Sequence, residues 1–183
     1  MNVSKGQKVL VAVASKHGST LEIAEVIAEE LRTANFEVTL QDLQDKNEVS
    51  EIGEYSAVIL GSAIYAGSWL PPAKDFAEQH QLVLAKLPVW VFSSGPLDKD
   101  DSKPHDDPTK LASSLGEVKI QEHHIFLGKL DLADLNFGER LITRLVKSPT
   151  GDFRDWVEIR EWAQEIAKEL RLGTFAANSA TQA

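Results

Sequence analysis

No cysteine occurs in the 183 residues, which excludes disulfides, thiolate metal ligands, iron–sulfur clusters and a sulfur nucleophile. A basic surplus is also missing: 19 Lys and Arg against 28 Asp and Glu leave a formal net charge of −9. That balance argues against nucleic-acid binding, which needs a positive footprint, and favours cationic partners. No apolar run approaches membrane-spanning length, and the first seven residues are too short and polar for a signal peptide, so a cytoplasmic protein is expected. What is present is a hydrophobic content of 43%, enough for one domain with a substantial core, expected over 1–172. Residues 173–183 lack periodicity and are expected to form a disordered tail.

Strand-length apolar runs alternate with amphipathic segments, the pattern of strand–helix repeats building a parallel sheet. Strands are expected at Lys8–Ala14, Phe36–Leu40, Ala57–Gly61, Val89–Ser93 and within Val118–Leu127. The first, third and fourth are continuous apolar runs, as burial on both faces demands. Helices are expected at Ser19–Thr33, from Pro71 and Pro72 to about Ala85, near Thr109–Leu115, and at Trp156–Leu170 with Asp155 as its cap. Ile23, Val26, Ile27 and Leu31 fall on one face of the first helix, and Ile159, Trp162, Ile166 and Leu170 on one face of the last. The order predicts an α/β three-layer sandwich around a five-stranded parallel sheet of order 2-1-3-4-5.

Such sheets bind ligands at the carboxyl ends of the strands, near the point where strand order reverses. After the first strand comes Ser15-Lys16-His17-Gly18-Ser19-Thr20, a small, hydroxyl-rich turn that runs straight into a helix. Unpaired N–H groups and the positive end of the helix dipole suit a phosphate there. Ser19 with Glu22 also has the spacing of a capping box, which helices without ligands share. The turn lacks the glycine trio of dinucleotide folds and the terminal Gly-Lys-Ser/Thr of nucleoside-triphosphate loops. It resembles the first loop of flavodoxins, with Ser15, Gly18 and Thr20 on that pattern.

Two more loops belong to the same sheet edge: Gly61-Ser62-Ala63-Ile64-Tyr65-Ala66-Gly67-Ser68-Trp69 and Ser93-Ser94-Gly95-Pro96-Leu97. Together the three are similar to the cofactor loops of flavodoxin-like proteins over about residues 8 to 170. The resemblance implies noncovalent flavin mononucleotide (FMN). Its phosphate would lie on Ser15, Lys16, His17, Gly18, Ser19 and Thr20. Its ring would lie among Ser62, Ala63, Ile64, Tyr65, Ala66, Gly67 and Trp69 on one side and Ser93, Ser94, Gly95, Pro96 and Leu97 on the other. Tyr65 or Trp69 would stack on the ring, and Ala66-Gly67 would let a carbonyl turn toward it.

Before the last helix, residues 128–155 form an insertion. It includes the amphipathic Phe137-Gly138-Glu139-Arg140-Leu141-Ile142-Thr143-Arg144-Leu145-Val146-Lys147. With the Ser62–Gly67 loop, this resembles the menaquinone-dependent protoporphyrinogen dehydrogenases. That family implies a tetrapyrrole substrate and a quinone acceptor, although its members are typically basic and this chain is acidic. Residues 137–147 could lie on anionic lipid as a peripheral contact, or pack on their own domain.

Electron transfer through a flavin needs no protein acid, base or nucleophile, so no catalytic residue is assigned. His123 and His124 are adjacent on a strand and point to opposite faces, so no metal pair is expected. Asp98, Asp100, Asp101, Asp106 and Asp107 form an acidic loop that could dock a cationic reductase. Three functions stay open: an electron carrier working with a redox partner protein, a protoporphyrinogen dehydrogenase passing electrons to a quinone, and a flavin-free interaction module.

Overall fold

Strand β1 (Lys8–Ala14) is buried along almost its whole length because both faces of the sheet are covered. The computed structural model describes residues 7–45, 51–65, 67–95, 115–116, 118–140 and 150–174. Helix α1 (Ser19–Thr33) follows β1, then β2 (Glu37–Asp42), a short 3-10 turn at Ile52–Glu54, and β3 (Ala57–Tyr65). Next come β4 (Ser68–Trp69), α2 (Pro71–Gln79), α3 (Gln81–Leu84), β5 (Val89–Ser94) and β6 (Ile120–Phe126). The chain closes with β7 (Lys129–Leu130), β8 (Gly151–Asp152) and α4 (Trp156–Leu172). The main sheet runs β2-β1-β3-β5-β6, all parallel, which is the expected 2-1-3-4-5 order once the short strands are set aside.

Alternation along each strand divides the core into two layers. Val9, Val11 and Val13 face α1 and α4 with Ile23, Ile27, Ile159 and Trp162. Leu10, Ala12 and Ala14 face α2 and α3 with Phe76, Ala77 and Leu84. Each fully buried Leu, Ile or Phe side chain contributes about 1.5–3 kcal/mol relative to exposure. The α1–α4 layer is held at its centre by aromatic edge contacts among Phe92, Phe126 and Trp162. Asp155 caps α4 as expected, its carboxylate accepting from Val157 N–H and Glu158 N–H at 3.0 and 3.1 Å.

Three expectations need correction. The helix expected from Pro71 to Ala85 is two helices, because His80 leaves helical geometry at φ −106°, ψ 12°. Residues 61–65 are not loop. β3 pairs with β5 as far as Ala63↔Ser94 and then with β4 through Ile64↔Trp69 and Tyr65↔Ser68, so the extended ladder satisfies backbone groups that a loop would leave to solvent. The Ser19–Glu22 capping box is absent: Gly18 is the N-cap at φ +83°, Ser19 is already helical, and Glu22 turns to Arg154. Most of the helix expected at Thr109–Leu115 lies outside the described residues.

The insertion leaves the sheet after β6 and is closed at its base by the antiparallel pair Lys129↔Asp152 and Leu130↔Gly151. Gly128 suits this exit. A Cβ there would lie 3.0 Å from the Cα of Gly95, so any other residue would push the segment after β6 away from the one after β5 by a few tenths of an ångström.

Candidate flavin site

The turn after β1 is positioned by the first parallel crossover and by Gly18, whose left-handed backbone sends the chain into α1 without a side-chain cap. Among the described residues, no acceptor takes the main-chain N–H of Lys16, His17, Gly18, Ser19 or Thr20. Ser15 Oγ is buried and has no hydrogen-bond partner, while the Ser15 carbonyl is held by Gln44 Nε2 at 2.6 Å. Five unspent amides and an orphaned hydroxyl in one turn form a donor set for an anion at a helix N-terminus. These groups suit the phosphate of a flavin mononucleotide.

The turn opens into a cleft at the carboxyl edge of the sheet. Its wall takes Lys16, His17, Ser19 and Thr20 from the turn, Ala63, Ile64 and Tyr65 from β3, and Ser94 and Gly95 from the end of β5. The insertion supplies the remaining side: Gly128, Lys129, Leu130, Asp131, Asp134 and Leu135. The three segments expected to converge therefore do so. Ser15 and Gly18 belong to the turn without forming wall, and Gly67 lies in the two-residue connection of the β3–β4 hairpin. Ala66, Pro96 and Leu97 lie outside the described residues.

Besides Gly67, three expected ring contacts are absent from the cleft wall. Trp69 is buried at 3% exposure, and its Nε1–H donates to Ser93 Oγ at 2.7 Å. The β3–β4 register puts Trp69 opposite Ile64 and turns it into the α2 layer. Ser93 is fully buried, and its hydroxyl also meets His123 Nε2 at 2.9 Å. Burial, then the charge of His124, pushes the His123 imidazole below its ordinary value. Ser62 is fully buried too, accepting from Leu70 N–H at 3.0 Å and donating to the Ala63 carbonyl. His123 and His124 do diverge, the latter packing on Phe126 and Trp162 in the other layer.

Two charged groups went unassigned in the sequence. Glu139, in the helical turn at 137–140, reaches the phosphate turn with Oε1 at 2.5 Å from Lys16 Nζ and 3.6 Å from His17 Nε2. The same oxygen accepts from Tyr65 Oη–H at 2.9 Å. Its other oxygen accepts from Asn136 N–H while Glu139 N–H donates to Asn136 Oδ1, both at 2.9 Å, a reciprocal capping box. Lys16 above all, with the Asn136 amide next, holds the Glu139 carboxyl at about 2, and Glu139 in turn raises Lys16. The Lys16 ammonium stands 3.8 Å over the Tyr65 ring, so the lysine expected to face the phosphate is engaged by Glu139 and Tyr65.

Arg154 ties the other end of the insertion to α1. Its guanidinium bonds Asp152 at 2.6 and 2.8 Å, Glu22 Oε2 at 2.7 Å and the Ser19 carbonyl at 3.0 Å, and lies over the Trp156 ring. Asp152 first, then Glu22, raises the Arg154 pKa, and Asp152 is lowered in return. Asn136 three residues before Glu139 has capping-box spacing, a local mark that says nothing of distant partners, and Arg154 has no such mark. Nothing local marks a partner more than a hundred residues away.

A turn of free amides, an order-reversing parallel sheet and a cleft at its carboxyl edge define a flavodoxin-like protein. The family model "Flavodoxin domain" matches residues 10–156, and the chain belongs to that family. Protoporphyrinogen IX dehydrogenase (quinone) of Escherichia coli (strain K12) is 20% identical over 172 residues, covering 87% of this chain and 94% of that protein. A solved flavodoxin from the domain Archaea has a TM-score of 0.62 at 19% identity, covering 90% of this chain and 99% of that one. The Streptococcus pneumonia TIGR4 flavodoxin has a TM-score of 0.55 at 20% identity, covering 91% and 99%. Among the described residues no helix is long and apolar enough to cross a membrane.

Proposed function

We propose that this protein binds FMN noncovalently and carries electrons through it to a redox partner. The observation that supports this reading most is the set of unpaired amides of Lys16–Thr20 beside the orphaned hydroxyl of Ser15. Hydrogen bonds from such donors to an ionised phosphate are worth about 1.5–3 kcal/mol each. The flavin, when bound, supplies the redox chemistry. Amides of the turn would hold the phosphate, Tyr65 would offer an aromatic face, and Ser94 with Gly95 would border the opposite edge. Ile64, Leu130 and Leu135 would keep water from the buried side of the ring.

A second reading has a specific observation behind it: residues 128–135 form a whole side of the cleft, where a substrate would approach the ring. In that reading the protein oxidises protoporphyrinogen IX and a quinone takes the electrons, as the name of the Escherichia coli relative describes for that enzyme. The net charge of −9 suits a cationic redox partner better than an anionic tetrapyrrole, and for that reason the carrier reading stands first. Residues 141–147 of the segment considered for lipid contact lie outside the described residues.

Reconstitution with FMN followed by anaerobic mixing with protoporphyrinogen IX and menaquinone tests both. A carrier takes up FMN and is reduced by a reductase but not by the tetrapyrrole. Rapid bleaching of the bound flavin by protoporphyrinogen would favour the enzyme, and a protein that takes up no FMN would refute both.

A further inference from the structure

We infer that Glu139 is a positioning residue for the flavin ring: the insertion's carboxylate sets where Tyr65 and Lys16 stand. The inference rests on the FMN reading above. Tyr65 is 43% exposed at the end of β3, beside the two-residue turn to β4, so the sheet alone fixes its backbone and leaves its ring little packing. The hydroxyl bond to Glu139 Oε1 supplies the missing restraint. Glu139 is itself held at 8% exposure by the reciprocal bonds with Asn136, so the restraint is anchored and not a swinging side chain.

The same oxygen draws the Lys16 ammonium onto one face of the Tyr65 ring. A face covered by an ammonium is closed to a stacked heterocycle, so the flavin meets the other. Lys16 is thereby withdrawn from the phosphate, which is left to the amides of the turn and Ser15 Oγ. Because Glu139 lies in the insertion, ring placement depends on the insertion being docked, which the base fold of the family would not require.

The test is FMN titration of Glu139→Ala, Tyr65→Phe and the double variant, read by flavin fluorescence, with circular dichroism confirming the fold. Each single change is expected to raise the FMN Kd by about fivefold, the worth of one ordinary hydrogen bond. The double variant is expected to lose no more than the weaker single one, since both remove the same bond. Glu139→Gln, whose amide oxygen can accept from Asn136 N–H while its NH2 donates to Tyr65 Oη, keeps the restraint on Tyr65 and is expected to recover most of the wild-type affinity and the wild-type fluorescence of the bound flavin. Additive losses, unchanged affinity in Glu139→Ala, or a glutamine variant as weak as the alanine one would overturn the inference. Tighter binding by Glu139→Ala would also overturn it, by showing that the carboxylate competes with the phosphate. These results leave the FMN reading standing, whereas wild-type protein that takes up no FMN removes that reading and this inference together.

Discussion

Replacing Ser15 with alanine should change the stability of the free protein and its affinity for FMN in opposite directions. The hydroxyl is buried with no hydrogen-bond partner among the protein's described groups, and an unsatisfied buried polar group costs about 1–3 kcal/mol. Ser15→Ala should therefore stabilise the apoprotein by about 1 kcal/mol, raising Tm by about 2–4 °C for a chain of this length. With FMN the sign reverses. A hydrogen bond from that hydroxyl to the phosphate is worth about 1.5–3 kcal/mol, so its loss should raise Kd by about 10- to 150-fold. Thermal unfolding of the apoprotein and quenching of FMN fluorescence on binding measure the two halves separately. An apoprotein that loses stability, together with an FMN affinity within about threefold of wild type, would show that the hydroxyl has a structural role and that the phosphate lies elsewhere.

Trp69→Phe should cost about 1–2 kcal/mol in urea unfolding, because the Ser93 hydroxyl loses its indole donor, yet leave FMN affinity within about twofold; a large affinity loss would return Trp69 to the cleft. Arg154→Met should destabilise the protein by about 1–3 kcal/mol and open the β7–β8 ribbon to proteolysis, since Glu22 and Asp152 lose the cation that joins them; unchanged stability and protection would contradict the clamp. The Glu139 carboxyl is held at about 2 against an ordinary 4.5, so the native state binds its proton less readily than the unfolded chain does. The stabilisation from this pairing is complete above pH 4.5 and is lost as pH falls from there toward 2. The stability gap between wild type and Glu139→Gln should shrink over that window, and a constant gap would refute the pairing.

The sheet was readable because burial on both faces leaves its mark in the chain itself: Val9–Ala14, Val58–Leu60 and Val89–Phe92 have no polar alternation to mistake for a surface strand. The phosphate turn was readable for a related reason, since a strand, a small left-handed turn and a helix start are all coded locally. Trp69 was misassigned because its direction is set by pairing. The register across the β3–β4 turn pairs Ile64 with Trp69 and Tyr65 with Ser68, so Trp69 shares its face with Ile64 and Tyr65 shares the other with Ser68. One residue more in that turn would have reversed the two aromatics. Glu139 and Arg154 were not readable at all as parts of the site. Their partners Lys16, Tyr65, Ser19 and Glu22 are brought to them by the fold, and charge patterning along the chain holds no trace of that closure.

Whether the amides of Lys16–Thr20 grip a phosphate is tested most directly by comparing FMN with riboflavin, which has the same ring and no phosphate, in calorimetric titrations of the apoprotein. Two or more charge-assisted hydrogen bonds predict that riboflavin binds at least about 100-fold more weakly than FMN. Equal affinities would place the binding energy in the ring and contradict the assignment of the turn.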